Sequence, residues 1–140
     1  MNPFFFTSMS GWIAVILIGI GIALPYLLRR TWLSLRLGIA QGFVAPYLKR
    51  MWAHYGAGYL VAGLSFAHAW VPMRAGYMRR ANLTGLWLAT GALLLLWTQL
   101  ALGVALQDSR LQQRRAIRGW HYWVMVAVVL LVVGHVWLNG

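Results

Sequence analysis

The 140-residue sequence has no cysteine and a single acidic residue, Asp108. The first absence excludes disulfides, thiolate-bound iron–sulfur clusters and the C-x-x-C-H attachment of c-type haem, so any redox cofactor must sit on histidine. The second leaves twelve Lys and Arg almost unopposed. In a soluble protein that balance would point to nucleic acid. Here every basic residue falls in a connection between apolar runs, where membrane proteins keep basic residues, and no nucleic-acid partner is expected. Charge of either sign is scarce: 9% of the residues are charged and 61% are hydrophobic. A water-soluble domain of this length needs more charge on its surface, whereas a bundle in lipid shows Leu, Val and Ile to hydrocarbon without cost. A single membrane domain over residues 1–140 is expected.

What is present is long apolar sequence. Four stretches, about 11–28, 51–73, 81–107 and 119–140, hold no Asp, Glu, Lys or Arg. Each is long enough for the roughly 20 residues that cross a bilayer as a helix. Open strands would leave backbone groups unpaired in lipid, so the fold class is all-α, an integral membrane four-helix bundle. Pro25 is expected to kink or end the first helix. The connections carry five, three and four basic residues in chain order, and the two ends carry none. Nine against three makes the first and third connections cytoplasmic, with both termini on the outer, periplasmic side of a bacterial inner membrane. Helices 2 and 4 then run parallel, from inside to outside. In the first connection Trp32, Leu35, Ile39 and Phe43 recur at near-helical spacing, which predicts an interfacial helix over about 31–43. An irregular loop carries equal weight there, because Gly38 and Gly42 weaken a helix.

All four histidines lie in two of these helices, His54 and His68 in helix 2 and His121 and His135 in helix 4. Fourteen residues at about 100° each place both members of a pair on one helix face, about 21 Å apart along the axis. The neighbours repeat as well: His54-Tyr55 and His68-Ala69-Trp70 match His121-Tyr122 and His135-Val136-Trp137 at one constant offset. Such self-similarity suggests duplication of a helical hairpin. With parallel helices, His54 comes to the depth of His121 on the cytoplasmic side and His68 to that of His135 on the outer side. A haem iron with two axial imidazoles needs one histidine above and one below the ring, so two facing pairs predict two b-type haems. Arg50 and Arg118 stand one turn before His54 and His121, where they would meet haem propionates; ordinary flanking charge is the alternative role. Small residues on these helices, Gly58, Gly63, Ala89, Gly103 and Gly134, allow close approach of a porphyrin or a neighbouring helix.

On His54, His68, His121 and His135 the pattern resembles the four-helix dihaem core of membrane cytochromes b, as in the cytochrome b of cytochrome bc complexes and, more loosely, ferric-reductase-like membrane domains. The resemblance implies electron transfer between two haems across the membrane, and a quinone as donor or acceptor. It departs from the bc type in two places. Gly11, Gly19 and Gly21 do not reproduce that family's wide glycine spacing, and Asp108 to Arg118 is too short for its quinol-oxidation segment. The expected function is therefore a dihaem subunit of a larger redox complex, moving electrons between a quinone pool or cytoplasmic donor and a redox partner, and not a stand-alone enzyme. Tyr55, Tyr122, Ser65 and Gln99 are candidates for partners of the histidines' second nitrogens. Asp108 is the one candidate for quinone-linked proton exchange, with helix capping or arginine pairing as its alternative role. Two rival readings are a chlorophyll-binding subunit with four single ligands and a histidine-lined metal transporter. Intramembrane acids, expected in the transporter, are absent.

Overall fold

The computed structural model describes residues 3–36, 51–76, 81–108 and 112–139, and these residues form four α-helices. They are α1 (Pro3–Arg36), α2 (Trp52–Arg74), α3 (Leu83–Ala105) and α4 (Arg114–Asn139). α1 continues through Pro25, because a proline removes one N–H and leaves the flanking hydrogen-bond ladder in place. Trp32 and Leu35 belong to this unbroken helix. The remainder of the candidate interfacial segment, 37–43, lies outside the described residues, as does Arg50.

The helix ends follow local chemistry. α2 closes where the Ala75 N–H reaches the Val71 carbonyl, and Gly76 then takes φ +73°, a left-handed turn open to a residue without Cβ. α3 opens on Asn82, whose side chain accepts from the Gly85 N–H at 3.1 Å. At its other end the Arg114 guanidinium donates to the Leu106 carbonyl at 2.8 Å, supplying an acceptor-end partner from α4.

Three described helices are long and apolar enough to cross a membrane: Phe5–Leu27 within α1, Leu83–Ala105 and Arg114–Asn139. Four were expected, and α2 is the exception. It is as long as α3, but His54, Tyr55, Tyr59, Ser65 and His68, with Gly56, Gly58 and Gly63, stand where the other helices have Leu, Val and Ile. The burial pattern is that of a bundle in lipid. The buried apolar residues are mostly small, Ala14, Ala57, Val61, Ala62, Ala92 and Val128, while Ile16, Leu60, Leu94, Leu130 and Trp137 are exposed. Small residues at helix contacts let backbones approach, and large ones face the apolar solvent at no cost.

The bundle is two hairpins side by side. α1 packs on α2 and α3 on α4, and the hairpins meet much more lightly through α2 and α3. α2 and α4, which carry the histidines, lack close backbone packing against each other. That leaves room between them.

Candidate functional site

The histidines meet across that room in two pairs. His54 faces His121 with ring centroids 6.3 Å apart and planes crossing at 66°, and His68 faces His135 at 6.2 Å and 85°. The pairs occur in the same order along both helices, and all four side chains are half-buried. The side chains thus stand His54 beside His121 and His68 beside His135.

Partner helices fix three of the four rings. His54 Nδ1 donates to the Gly21 carbonyl at 3.0 Å, His68 Nδ1 to the Thr7 carbonyl at 2.8 Å and His135 Nδ1 to the Gly85 carbonyl at 3.0 Å. A carbonyl only accepts, so Nδ1 carries the proton and Nε2 keeps its lone pair. This is the tautomer that metal-ligating histidines adopt, with the second nitrogen oriented by a backbone acceptor. His121 differs. Its Nε2 lies 3.1 Å from Gln99 Nε2, and its Nδ1 is buried without a hydrogen-bond partner.

Glycine makes these approaches possible. A Cβ on Gly11 would stand 2.8 Å from His68 Cε1, and one on Gly85 would collide with Asn139 Nδ2. Gly103 is 3.5 Å from His121 Cε1 by the same construction, an ordinary contact. Gly134 packs against Leu88, a helix contact, while Gly58 and Gly63 have nothing within 4 Å. Asn139 also ties the end of α4 to the start of α3. Its amide oxygen accepts from the Asn82 N–H at 2.6 Å and its nitrogen donates to the Asn82 carbonyl at 3.3 Å. This clasp sits beside Gly85, whose carbonyl holds His135.

A cavity of about 120 Å³ opens at the His54–His121 pair, between α1, α2, α3 and α4. Its walls are mainly apolar, with Leu17, Ile22, Leu100 and Met125 among them and Tyr55, Tyr59, Gln99 and Gln107 as the polar exceptions besides the histidines.

The donor set fits haem. Among the described residues no group of three or more His, Cys, Asp or Glu converges as a metal cage. The histidines come in twos, and a macrocycle fills the equatorial positions of its iron and leaves two axial ones. Two imidazoles on one metal, each bonded at about 2 Å, hold their ring centroids about 6 Å apart.

The other sequence candidates fall as follows. Tyr55 packs edge-on against His54 at 6.0 Å, and Tyr122 is exposed against Trp123. Gln99 is in contact with His121, whereas Ser65 contacts no histidine through any hydrogen bond described above. Arg118 is exposed one turn before His121. Arg74, beyond His68, lies over the Trp70 ring at 5.7 Å, and Asp108 is exposed. Sequence reasoning passed over Thr7, Gly85, Asn82 and Asn139. No signal of residue type marks Thr7, Gly21 or Gly85 as anchors, since every residue carries a carbonyl.

No protein-family model, curated protein or solved structure matches this chain.

Proposed function

We propose that the chain is a dihaem b-type cytochrome subunit that conducts electrons across a membrane, with His54 and His121 ligating one haem and His68 and His135 the other. The observation that carries this reading is the pair of facing imidazole contacts, 6.3 and 6.2 Å between centroids, three of whose four rings keep Nε2 unprotonated. Haem iron supplies reversible one-electron chemistry when bound. The chain's own part is to hold the rings. Backbone carbonyls of Gly21, Thr7 and Gly85 fix imidazole tautomer and orientation, and apolar walls exclude water. Ligands arranged in facing pairs favour one shared metal per pair over single pigments, which need no opposing ring.

Because His54 lies by His121 and His68 by His135, α2 and α4 run parallel and carry the two sites to opposite ends of the bundle. About 21 Å of helix separates them, most of the roughly 30 Å hydrocarbon core. In this reading α2 crosses the bilayer as a ligand-bearing helix inside the bundle, its deficit of Leu and Val matched by the carbonyls that satisfy its histidines. Exposed tryptophans stand near both ends, Trp52, Trp120 and Trp123 beside one pair and Trp70, Trp87 and Trp137 beside the other, where interfacial aromatics belong. The nine-to-three basic asymmetry puts the His54–His121 end on the cytoplasmic side, both termini outside, and Arg118 where a propionate would emerge. The membrane is a bacterial inner membrane, and the partners are lipid, further subunits of a redox complex and a quinone. A reduced-minus-oxidised spectrum of the purified chain tests the proposal: b-type bands are expected, and their absence overturns it.

A further inference from the structure

The four histidines are not held alike, and the odd one has a specific neighbour. In α1 the acceptor carbonyls, Thr7 and Gly21, are fourteen residues apart, the same spacing as His68 and His54. In α3 the carbonyl of Gly85 holds His135, and fourteen residues further along stands Gln99. Gln99 thus occupies the fourth anchor position. It meets His121 through its side chain, at Nε2 instead of Nδ1. His121 Nδ1 and Gln99 Oε1 are both buried without hydrogen-bond partners. Turning the amide over would exchange donor for acceptor and still engage Nε2.

We infer that Gln99 sets the two sites apart, holding the His121 nitrogen that iron would take and so weakening haem retention at the His54–His121 site. The inference rests on the dihaem reading above. Gln99 is a positioning residue: it acts through His121. For His121 to present Nε2 as its three counterparts do, the amide contact must break. An interaction that stabilises the ligand-free arrangement subtracts from apparent affinity by its own equilibrium factor. One hydrogen bond at its usual net worth corresponds to roughly three- to tenfold. The His68–His135 site has no such competitor, since both of its rings are bonded at Nδ1.

The test uses the full chain, purified with its haem in detergent and equilibrated with graded serum albumin as a competing haem acceptor. Two transitions of haem retention are expected, the weaker-binding one missing in His54→Ala. In Gln99→Leu and Gln99→Met the weaker transition is expected to move to roughly three- to tenfold higher acceptor concentration while the tighter one stays put. Loss of a merely structural side chain would weaken retention instead, so the direction of change discriminates. If either variant fails to fold, the other decides. A weaker transition that is unmoved or moves to lower acceptor concentration, in protein still holding two haems, overturns the role of Gln99 and leaves the dihaem reading standing. A natural chain with no haem overturns both.

Discussion

At the His68–His135 end of the bundle both rings hang from backbone carbonyls, whereas at the His54–His121 end one ring hangs from a carbonyl and the other meets an amide side chain. The first end is also clasped: Gly11 lets His68 close against α1, and Asn139 locks α4 onto the start of α3. The second end holds the cavity of about 120 Å³ and the buried atoms without partners. One sequence repeat has produced two histidine pairs that are held differently. Identical residues do not make identical surroundings; the groups that orient each imidazole decide how far its position is built in advance.

The contrast is broken most severely at Gly85. Gly85→Ala drives a Cβ into Asn139 and displaces the carbonyl that holds His135, and overpacking of this kind costs about 1–3 kcal/mol. Thermal unfolding in detergent should show the loss, and under the proposed dihaem function haem loss should be confined to the His68–His135 pair. Gly11→Ala acts on the same pair from the other hairpin. Its Cβ, 2.8 Å from His68 Cε1, forces the ring aside, with a comparable or smaller cost because a ring yields more easily than a helix terminus. Under the same proposal, haem retention at the His68–His135 pair in a haem-transfer assay reads it. Asn139→Ala removes both bonds to Asn82, about 1 kcal/mol each at most, and should lower the melting temperature while leaving the His54–His121 haem in place. At the open end Gly103→Ala makes only an ordinary 3.5 Å contact with His121, and a stability change within about 0.5 kcal/mol is expected. Gly63→Ala is the control of opposite sign. It is exposed with nothing within 4 Å, so the gain in helix propensity should stabilise by up to about 1 kcal/mol without touching either haem.

Much of this arrangement was legible in the residues. A period of fourteen fixes one helix face, and the repeated His-Tyr and His-x-Trp neighbours pair His54 with His121 and His68 with His135. The apolar runs announce helices in lipid for the same reason that three of them remain exposed in the folded chain. α2 was harder to read, because ligands, tyrosines and glycines dilute its apolar composition, and what marks it as part of the bundle is its contact with α1. The carbonyl anchors were not legible at all. Every residue has a carbonyl, so nothing in the types of Thr7, Gly21 or Gly85 reveals which one lies beside a histidine until the helices are rotated against each other. Nor does an asparagine at position 139 reveal that it will reach Asn82 across a hairpin. Gln99 stood among the candidate partners of the histidines by type alone, and its side-chain contact with the one ring whose Nδ1 makes no hydrogen bond gives that candidacy its content.

Counting haem in the four single-histidine variants tests the central claim most directly. By pyridine haemochrome, about two protohaems per natural chain are expected and about one in each of His54→Ala, His121→Ala, His68→Ala and His135→Ala. The first two variants should keep the same spectrum and redox midpoint, and the last two the other. A natural chain without haem, or loss of the same haem from His54→Ala and His68→Ala, would contradict the account.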